Sequence, residues 1–167
     1  MDLLDFNIRA KHRKHDPRIL LDSGPPRALY GVNPRLILGK QWWDTVRAKA
    51  YKEFNHSCAA CGAVNKKLDA HELYEINKTT GKVYLKDVVP VCGDCHSFIH
   101  QDLHRDLLRK GAIKTSDVVR ILAHGVSVLK KAGIRNVRKD PNTSKIHHDQ
   151  WRLVIGTNEY APVYKER

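Results

Sequence analysis

The sequence predicts an α+β fold in which two cysteine pairs hold a short β-hairpin against a helix, with further helices on either side. Two Cys-x-x-Cys pairs, Cys58/Cys61 and Cys92/Cys95, flank two short β-like runs. Apolar residues recur at helical spacing before the first pair and after the second. The length of 167 residues suits one domain, and a small, highly charged domain gains stability from a cross-link.

The chain is strongly basic, with a net charge of +12 and a pI near 9.7. This excess favours a polyanionic partner, either nucleic acid or an anionic membrane surface, although solvated surface lysines are the plainer alternative. No run approaches the ~18 apolar residues of a membrane span. Residues 1–5 lack the basic-then-apolar order of a secretory signal. We therefore expect a cytoplasmic protein with no membrane partner, in a compartment that disfavours disulfides.

Three segments follow one another along the chain. Residues 1–38 are predicted to form a basic N-terminal arm, because the run from Arg9 to Arg18 offers little to bury. Residues 39–110 form the core together with a preceding amphipathic helix, predicted from Gln41 to Asn55. The apolar stripe of this helix consists of Trp43, Val46, Ala50 and Phe54, with Trp42 beside it. Residues 111–167 are expected to form a C-terminal helix and tail that pack on the core.

Turn and cap residues mark the elements of the core. Two strands are predicted, from Lys67 to Tyr74 and from Lys82 to Leu85, with Gly81 near the turn. A helix is expected from Cys95 to about Arg109, closed by Gly111.

Two further elements are predicted after the core. A second helix runs from Ser116 to Lys131, and Thr115 or Ser116 can cap it. A final hairpin is predicted from the runs Trp151–Ile155 and Glu159–Tyr164, around residues 156–158.

The four cysteines have the spacing of a metal site. A two-residue spacer lets both sulfurs of a pair reach one ion, and two such pairs complete a tetrahedral four-sulfur site. A site closed by four sulfurs has a structural role, and zinc is the metal that this pattern favours. A redox pair, four unrelated buried cysteines and an iron–sulfur cluster are the alternatives.

A set of histidines lies beside the cysteines. His96 follows Cys95 directly and His100 comes four residues later, so on a helix both imidazoles share a face and can bind one ion. His71 lies on the first strand and can face His96 if the zinc holds the helix start against the hairpin. His104 is expected to be an ordinary surface residue of the helix.

In the order and spacing of these cysteines and histidines, the chain resembles the HNH, or ββα-metal, endonuclease family. The resemblance covers roughly residues 55–101. Within the family, the chain is most similar to the members of phage or bacterial type that contain a zinc ion bound by four cysteines. It rests on the two cysteine pairs, Ala70-His71-Glu72, Asp87-Val88-Val89-Pro90-Val91 and His96-x-x-Ile99-His100. In that family a hairpin histidine activates water, and hairpin and helix residues hold a single divalent ion.

The resemblance implies a role for each matching position. His71 would be the catalytic general base. His96 and His100 would bind the catalytic divalent ion, which could be Mg²⁺, Mn²⁺, Ni²⁺ or Zn²⁺. The four cysteines would bind the structural zinc.

Two positions depart from the family pattern. Ala70 stands where many members carry a metal-binding Asp or His, which makes Asp69, on the strand face of His71, a further candidate ligand. Alternatively, His71 is itself the ligand, and Glu72 or another group is the base. Asp87 stands at the family asparagine that ties the hairpin loop together, and its carboxylate can accept those hydrogen bonds but cannot donate amide protons.

Together these features predict a metal-dependent endonuclease that hydrolyses phosphodiester bonds in DNA, by nicking or by cutting both strands. A basic cluster after the last helix would contact the phosphate backbone, unless it is only a solvated linker. This cluster consists of Lys130, Lys131, Arg135, Arg138 and Lys139. Two other functions fit the sequence: a catalytically inactive zinc module that binds nucleic acid, and a zinc-stabilised adaptor for protein interactions.

Overall fold

A four-stranded sheet and four α-helices make up the fold that the computed structural model describes for residues 13–135 and 145–163. The strands are β1 (Leu68–Asn77), β2 (Lys82–Cys92), β3 (Arg152–Ile155) and β4 (Asn158–Tyr160). The helices are α1 (Pro34–Glu53), α2 (Gly93–Ile99), α3 (His104–Arg109) and α4 (Thr115–Lys131). Short 3-10 turns occupy Pro17–Leu21, Arg27–Leu29, Gln101–Leu103 and His148–Gln150. The predicted α+β class is confirmed, and no helix in the described ranges is long and apolar enough to cross a bilayer.

The sheet is mixed, with the strand order β1-β2-β3-β4. β1 and β2 form an antiparallel hairpin, β3 joins β2 in parallel, and β4 pairs antiparallel with β3. The hairpin register shifts once, because Leu73 lies opposite Asp87 while Tyr74 lies opposite Leu85. Such a bulge bends the strand and increases its twist.

Strand β2 is longer than predicted and runs to Cys92. Its second half is buried on both faces, and Val88, Val89 and Val91 are fully inaccessible to solvent. A strand buried on both faces lacks the alternation that marks a half-exposed strand, which is why the sequence pattern ended the prediction at Leu85. As a result, the strand leads directly from the hairpin into the second cysteine pair.

Helix α1 begins at Pro34, seven residues before the predicted start at Gln41. The Asn33 side chain caps it by accepting a hydrogen bond from Leu36 N at 2.9 Å, and proline is favoured at the first helical position. At Gly39 the backbone leaves helical geometry (φ 83°, ψ 170°), a conformation that glycine adopts at low cost. The predicted apolar stripe lies after this kink, and all of its residues are buried.

The single helix predicted from Cys95 to Arg109 is instead two helices. α2 ends at Ile99, a 3-10 turn follows, and α3 begins at His104. A continuous helix would place Asp102 one turn after the fully buried Phe98, on the face that packs into the core. The break leaves Asp102 exposed and turns His104 inward, where only 6% of it is accessible; the expectation that His104 is a surface residue is therefore wrong.

Helix α4 closes the fold over α2. Neither predicted residue caps it; instead, the Asp117 carboxylate accepts a hydrogen bond from the backbone N–H of Lys114 at 3.2 Å. Gly125 faces the Phe98 ring so closely that an added Cβ would lie 2.2 Å from it. The absence of a side chain at residue 125 therefore lets the two helices approach each other.

The N-terminal segment (residues 13–33) is not a free surface arm. Arg13 forms ion pairs with Asp87 on β2 and, at 3.5 Å, with Glu53 on α1. The backbone N–H of Asp16 donates to Ala59 O at 2.8 Å, and the Leu20 side chain is fully buried in the core. The predicted arm therefore packs into the fold from residue 13 onward, because its apolar residues lie after the basic run.

The predicted C-terminal hairpin is present as β3 and β4. Ile155 pairs with Asn158, so the turn has two residues rather than three, and Gly156 takes a positive φ of 62°. Trp151, just before β3, is buried in the cluster formed by the sheet and α1. β4 ends at Tyr160, and the predicted strand end at Tyr164 lies outside the described residues.

Candidate metal centre

The four cysteines lie together where β2, α2 and the loop after α1 meet. Their sulfur atoms are all within 4.8 Å of one another, and Cys61 Sγ lies 3.8 Å from Cys92 Sγ. Four sulfurs bound at about 2.3 Å around a tetrahedral zinc stand about 3.8 Å apart. The cluster can therefore hold a metal ion, and its donors and spacing are compatible with zinc.

Local backbone structure brings the two cysteine pairs together. The first pair lies in a tight turn, in which Gly62 N donates to Cys58 O at 2.8 Å and Gly62 has a φ of 73°. The backbone N–H of Ala59 donates to Pro90 O at 2.7 Å, which docks this turn against β2. The second pair spans the end of β2 and the first turn of α2. The hairpin and the helix thus fix the cluster from opposite sides.

The four thiols influence one another strongly. Hydrogen bonds from the Cys61, Cys92 and Cys95 side chains hold the pKa of Cys58 well below its usual value. Interactions with its neighbours, Cys58 first, raise the pKa of Cys95. Such close sulfurs cannot all ionise independently, and a bound cation would stabilise all four as thiolates, since the thiolate is the metal ligand.

His124 on α4 also contacts the cysteine cluster. Its Nε2 lies 3.3 Å from Cys95 Sγ, so a ring N–H there can donate to the sulfur. Sequence analysis missed this residue, because 29 positions separate the two partners and no motif joins them. Hydrogen bonds to metal-bound thiolates orient the ligands and tune the metal.

A second cluster consists of His71 on β1 and His96 and His100 on α2. One ring nitrogen from each lies within 4.8 Å of the others, and the ring centroids are 4.9 to 5.5 Å apart. The four-residue spacing on α2 places two of the rings on one face, and the hairpin places the third opposite them. The structure therefore brings all three histidines predicted from the sequence to one place, where their nitrogens could hold a metal ion.

Two carboxylates support these histidines. Asp69 Oδ2 lies 3.2 Å from His96 Nδ1, and Asp22 Oδ2 lies 3.1 Å from His71 Nε2. Asp69, predicted as a candidate ligand, is thus placed as the hydrogen-bond partner of a histidine. Asp22 comes from the N-terminal segment and was missed by the sequence analysis. Metal-binding histidines commonly donate their second ring N–H to a carboxylate in this way.

His71 is the most enclosed of the three. Only 2% of it is accessible, and its Nδ1 is buried with no hydrogen-bond partner among the described residues. With Nε2–H donating to Asp22, the lone pair of Nδ1 is free. An unpartnered nitrogen of this kind can accept a proton or bind a metal ion.

Burial sets the charge state of the helix histidines. It lowers the pKa of His100 to about 4, with a further contribution from His71 and His96. It also lowers the pKa of His96, against the opposing effect of Asp69. Both rings are therefore neutral near pH 7, which is the form that binds metal ions.

A cavity of about 570 Å³ opens beside the histidine cluster, and His71 and His100 form part of its wall. The N-terminal segment, the start of α1, β1 and the turn after α2 supply the rest. Glu72 also lines it, and burial raises the pKa of its carboxyl group. The three histidines thus lie at the edge of a space that can admit a ligand, unlike the enclosed cysteines.

The structure places the remaining predicted site residues elsewhere. Asp87, predicted as the loop-structuring residue, lies within β2, where it pairs with Arg13 and accepts a hydrogen bond from Val88 N at 2.8 Å. Lys130 and Arg135 line a separate groove at the end of α4 rather than the histidine cavity, and Lys131 is exposed beside them. Arg138 and Lys139 lie outside the described residues.

Comparison of the chain with protein families, with curated proteins and with solved structures found no match. The site is therefore interpreted from its own geometry.

Proposed function

We propose that the protein is a metal-dependent endonuclease of the HNH type that hydrolyses phosphodiester bonds in DNA. One observation carries the proposal: three histidines from a β-hairpin and the following helix converge at a cavity, next to a separate four-cysteine cluster. The cysteine cluster accounts for a structural zinc and leaves the histidines available for a second, open site. Hydrolysis needs both a base and a positive charge near the phosphate. A histidine can act as the base, and histidines can bind the metal ion that carries the positive charge.

His96 and His100 would hold the divalent ion. Both are neutral near pH 7 and share one face of α2, and Asp69 fixes the orientation of the His96 ring. An ion bound there supplies positive charge for the phosphate and the departing oxygen. Ala70 cannot be a ligand, so the proposed donors are the two helix histidines, of which His96 is oriented by its contact with Asp69.

His71 would act as the base. Its free Nδ1 takes the proton from a water molecule, whose oxygen forms a bond to phosphorus while the ester P–O bond breaks and the leaving oxygen takes a proton from a solvent water molecule. The Asp22 carboxylate, 3.1 Å from Nε2, stabilises the imidazolium that results. Because Asp22 and His71 are both largely buried, this interaction is weakly screened by solvent.

The overall charge supports a nucleic-acid partner. A net charge of +12 attracts the phosphate backbone over long range, and affinity gained in this way falls steeply with salt. The exposed residues Lys130, Lys131 and Arg135 belong to this basic surface. Contacts of this type position DNA without reading its sequence.

Cleavage of supercoiled plasmid by the zinc-loaded protein, with added Mg²⁺, Mn²⁺ or Ni²⁺, tests the proposal. We expect nicked or linear product from the wild type, none from His71→Ala, and wild-type product from His147→Ala, whose side chain is 79% exposed. Equal cleavage by wild type and His71→Ala would place the activity outside this site. No cleavage in any metal, with salt-sensitive DNA binding, would favour an inactive nucleic-acid module. Neither binding nor cleavage would favour a protein-interaction adaptor.

A further inference from the structure

The cavity beside the histidines has a mixed lining that the hydrolytic reaction alone does not require. Three aromatic side chains, Tyr30, Trp43 and Tyr74, contribute to its walls. Tyr30 is 54% exposed and belongs to the N-terminal segment, whereas Trp43 is almost fully buried in α1. The volume of about 570 Å³ lies in the range of roughly 300–1,000 Å³ that is typical of pockets for small organic ligands.

The charged groups of the cavity are arranged unevenly. Glu72 and Asp102 line it, and both are acidic, while Arg35 is exposed at the start of α1. Asp102 and Tyr30 both line the cavity. Burial raises the pKa of the Tyr30 hydroxyl, and the negative charge of Asp102 raises it further. Two carboxylates disfavour a phosphate within the cavity, but they can accept hydrogen bonds from the amino groups of a nucleobase. A phosphate is instead favoured near Arg35, the one cationic side chain that lines the cavity among the described residues.

We infer that the cavity receives an unpaired nucleoside next to the scissile phosphate, so that cleavage occurs where that nucleotide is not base-paired, as in a single strand or in the locally melted segments of a negatively supercoiled plasmid. This inference rests on the proposed nuclease function and names its substrate class. In a duplex the nucleoside beside the scissile phosphate is stacked and paired, and it cannot enter a cavity without leaving the stack. An exposed aromatic ring at the mouth gives such a base a surface on which to stack.

Fluorescence anisotropy with the zinc-loaded protein, without added divalent metal, tests this inference. The probes are one labelled deoxyoligonucleotide as a single strand, as a perfect duplex, and as a duplex with one unpaired nucleotide. We expect the two probes with unpaired nucleotides to bind at least about tenfold more tightly than the perfect duplex, as base stacking on an aromatic side chain permits.

Three variants test whether this preference comes from the cavity. Tyr30→Ala should weaken binding of the unpaired probes by roughly five- to hundred-fold and leave duplex affinity unchanged. Leu36→Ala is the matched control, because Leu36 is 70% exposed and close in sequence but does not line the cavity, and it should bind as the wild type does. Arg35→Gln should reduce the slope of log affinity against log salt concentration by about one, which is the effect of losing one phosphate contact. Tyr30→Ala should leave this slope unchanged.

The outcomes separate this inference from the nuclease proposal. Equal affinity for single strand and duplex, or a preference that Tyr30→Ala leaves intact, overturns the inference and leaves the nuclease proposal standing. A preference for unpaired DNA that depends on Tyr30, without cleavage of any of these DNAs when metal is added, supports the cavity assignment and removes the nuclease. Absence of DNA binding at low salt overturns both.

Discussion

The cysteine cluster and the histidine cluster use the same hairpin and the same helix, yet they have opposite surroundings. Cys95 and His96 are consecutive residues of α2, and consecutive residues on a helix point about 100° apart. Cys95 therefore points into the core with no accessible surface, while His96 is half-buried beside the cavity. Two consecutive residues of α2 thus belong to two different clusters, one of sulfur atoms in the core and one of ring nitrogens beside the cavity.

This comparison indicates a division between stability and chemistry. The cysteine cluster lies in the same hydrophobic core as Leu20, Phe98 and Leu129, so its loss would expose the centre of the fold. His96 and His100 are only partly buried, so either side chain can be removed without opening that core, whereas His71 is buried between them and Asp22. Variants of the two clusters should consequently fail in different ways.

The largest effect is expected from breaking the cysteine cluster. Cys92→Ser removes one of four sulfurs, and structural zinc sites contribute about 10 kcal/mol or more of apparent binding free energy, comparable with the whole stability of a domain. We expect no bound zinc by elemental analysis and no cooperative thermal unfolding by circular dichroism. His124→Ala, which removes only the contact to Cys95, should retain both. A cooperatively folded Cys92→Ser variant without metal would show that packing alone maintains the fold.

The next effect concerns metal affinity at the histidines. His96→Ala should weaken Mn²⁺ or Ni²⁺ binding, measured by calorimetry, by more than about a hundredfold, since loss of a supporting partner alone costs 10–100-fold. His71→Ala should keep metal affinity within about tenfold but lose roughly 10²–10⁴-fold in cleavage rate, as expected for a base. His96→Ala should unfold within a few degrees of the wild type, whereas His71→Ala, which leaves the largely buried Asp22 without this partner, should unfold at a lower temperature but still cooperatively. If His71→Ala instead loses metal as His96→Ala does, His71 is a third ligand, and Glu72 becomes the candidate base.

A smaller effect is expected at the carboxylate partners. Asp22→Asn should lower the cleavage rate by about 10–100-fold with metal affinity unchanged, because an amide cannot stabilise the charged His71 ring as a carboxylate does. Asp69→Asn should show the reverse, with weaker metal binding. The exposed Asp106 offers a control in Asp106→Asn, which should match the wild type in both measurements. Equal rates for Asp22→Asn and the wild type would remove Asp22 from the mechanism.

The smallest effect is a pH dependence of stability. Burial holds the pKa of His100 at about 4 in the folded chain, against an ordinary value of 6.5. Between these values the unfolded chain binds more protons, so stability is complete above pH 6.5 and falls as the pH decreases toward 4. The melting temperature of the wild type should therefore drop by a few degrees more than that of His100→Gln over this range. Parallel pH profiles for the two proteins would contradict the assignment.

Local sequence signals predicted part of this site. The spacing within each cysteine pair and the four residues between His96 and His100 reflect turn and helix geometry, and both clusters contain the residues that these spacings indicated. The break of the helix after Ile99 was not predicted, because charged and apolar residues alternate there in a way that still fits a helix. It depends on the burial of Phe98, which only the packed structure reveals.

Contacts between distant segments could not be predicted. Asp22 and His71 are 49 residues apart, and Arg13 and Asp87 are 74 residues apart. Nothing in the short-range pattern distinguishes these aspartates from the surface aspartates of the chain. The Arg13–Asp87 pair explains why a segment that begins as a basic run is nevertheless held against the sheet.

The position of the N-terminal segment has a consequence for how specificity can change. Every cysteine and histidine of the two clusters lies between residues 58 and 100, whereas much of the cavity wall comes from residues 23 to 33. Substitutions in that wall can alter the shape and chemistry of what fits, while the metal ligands and the core that holds them stay the same. Randomisation of this short stretch in a library would thus change what the cavity admits while the two clusters stay unchanged.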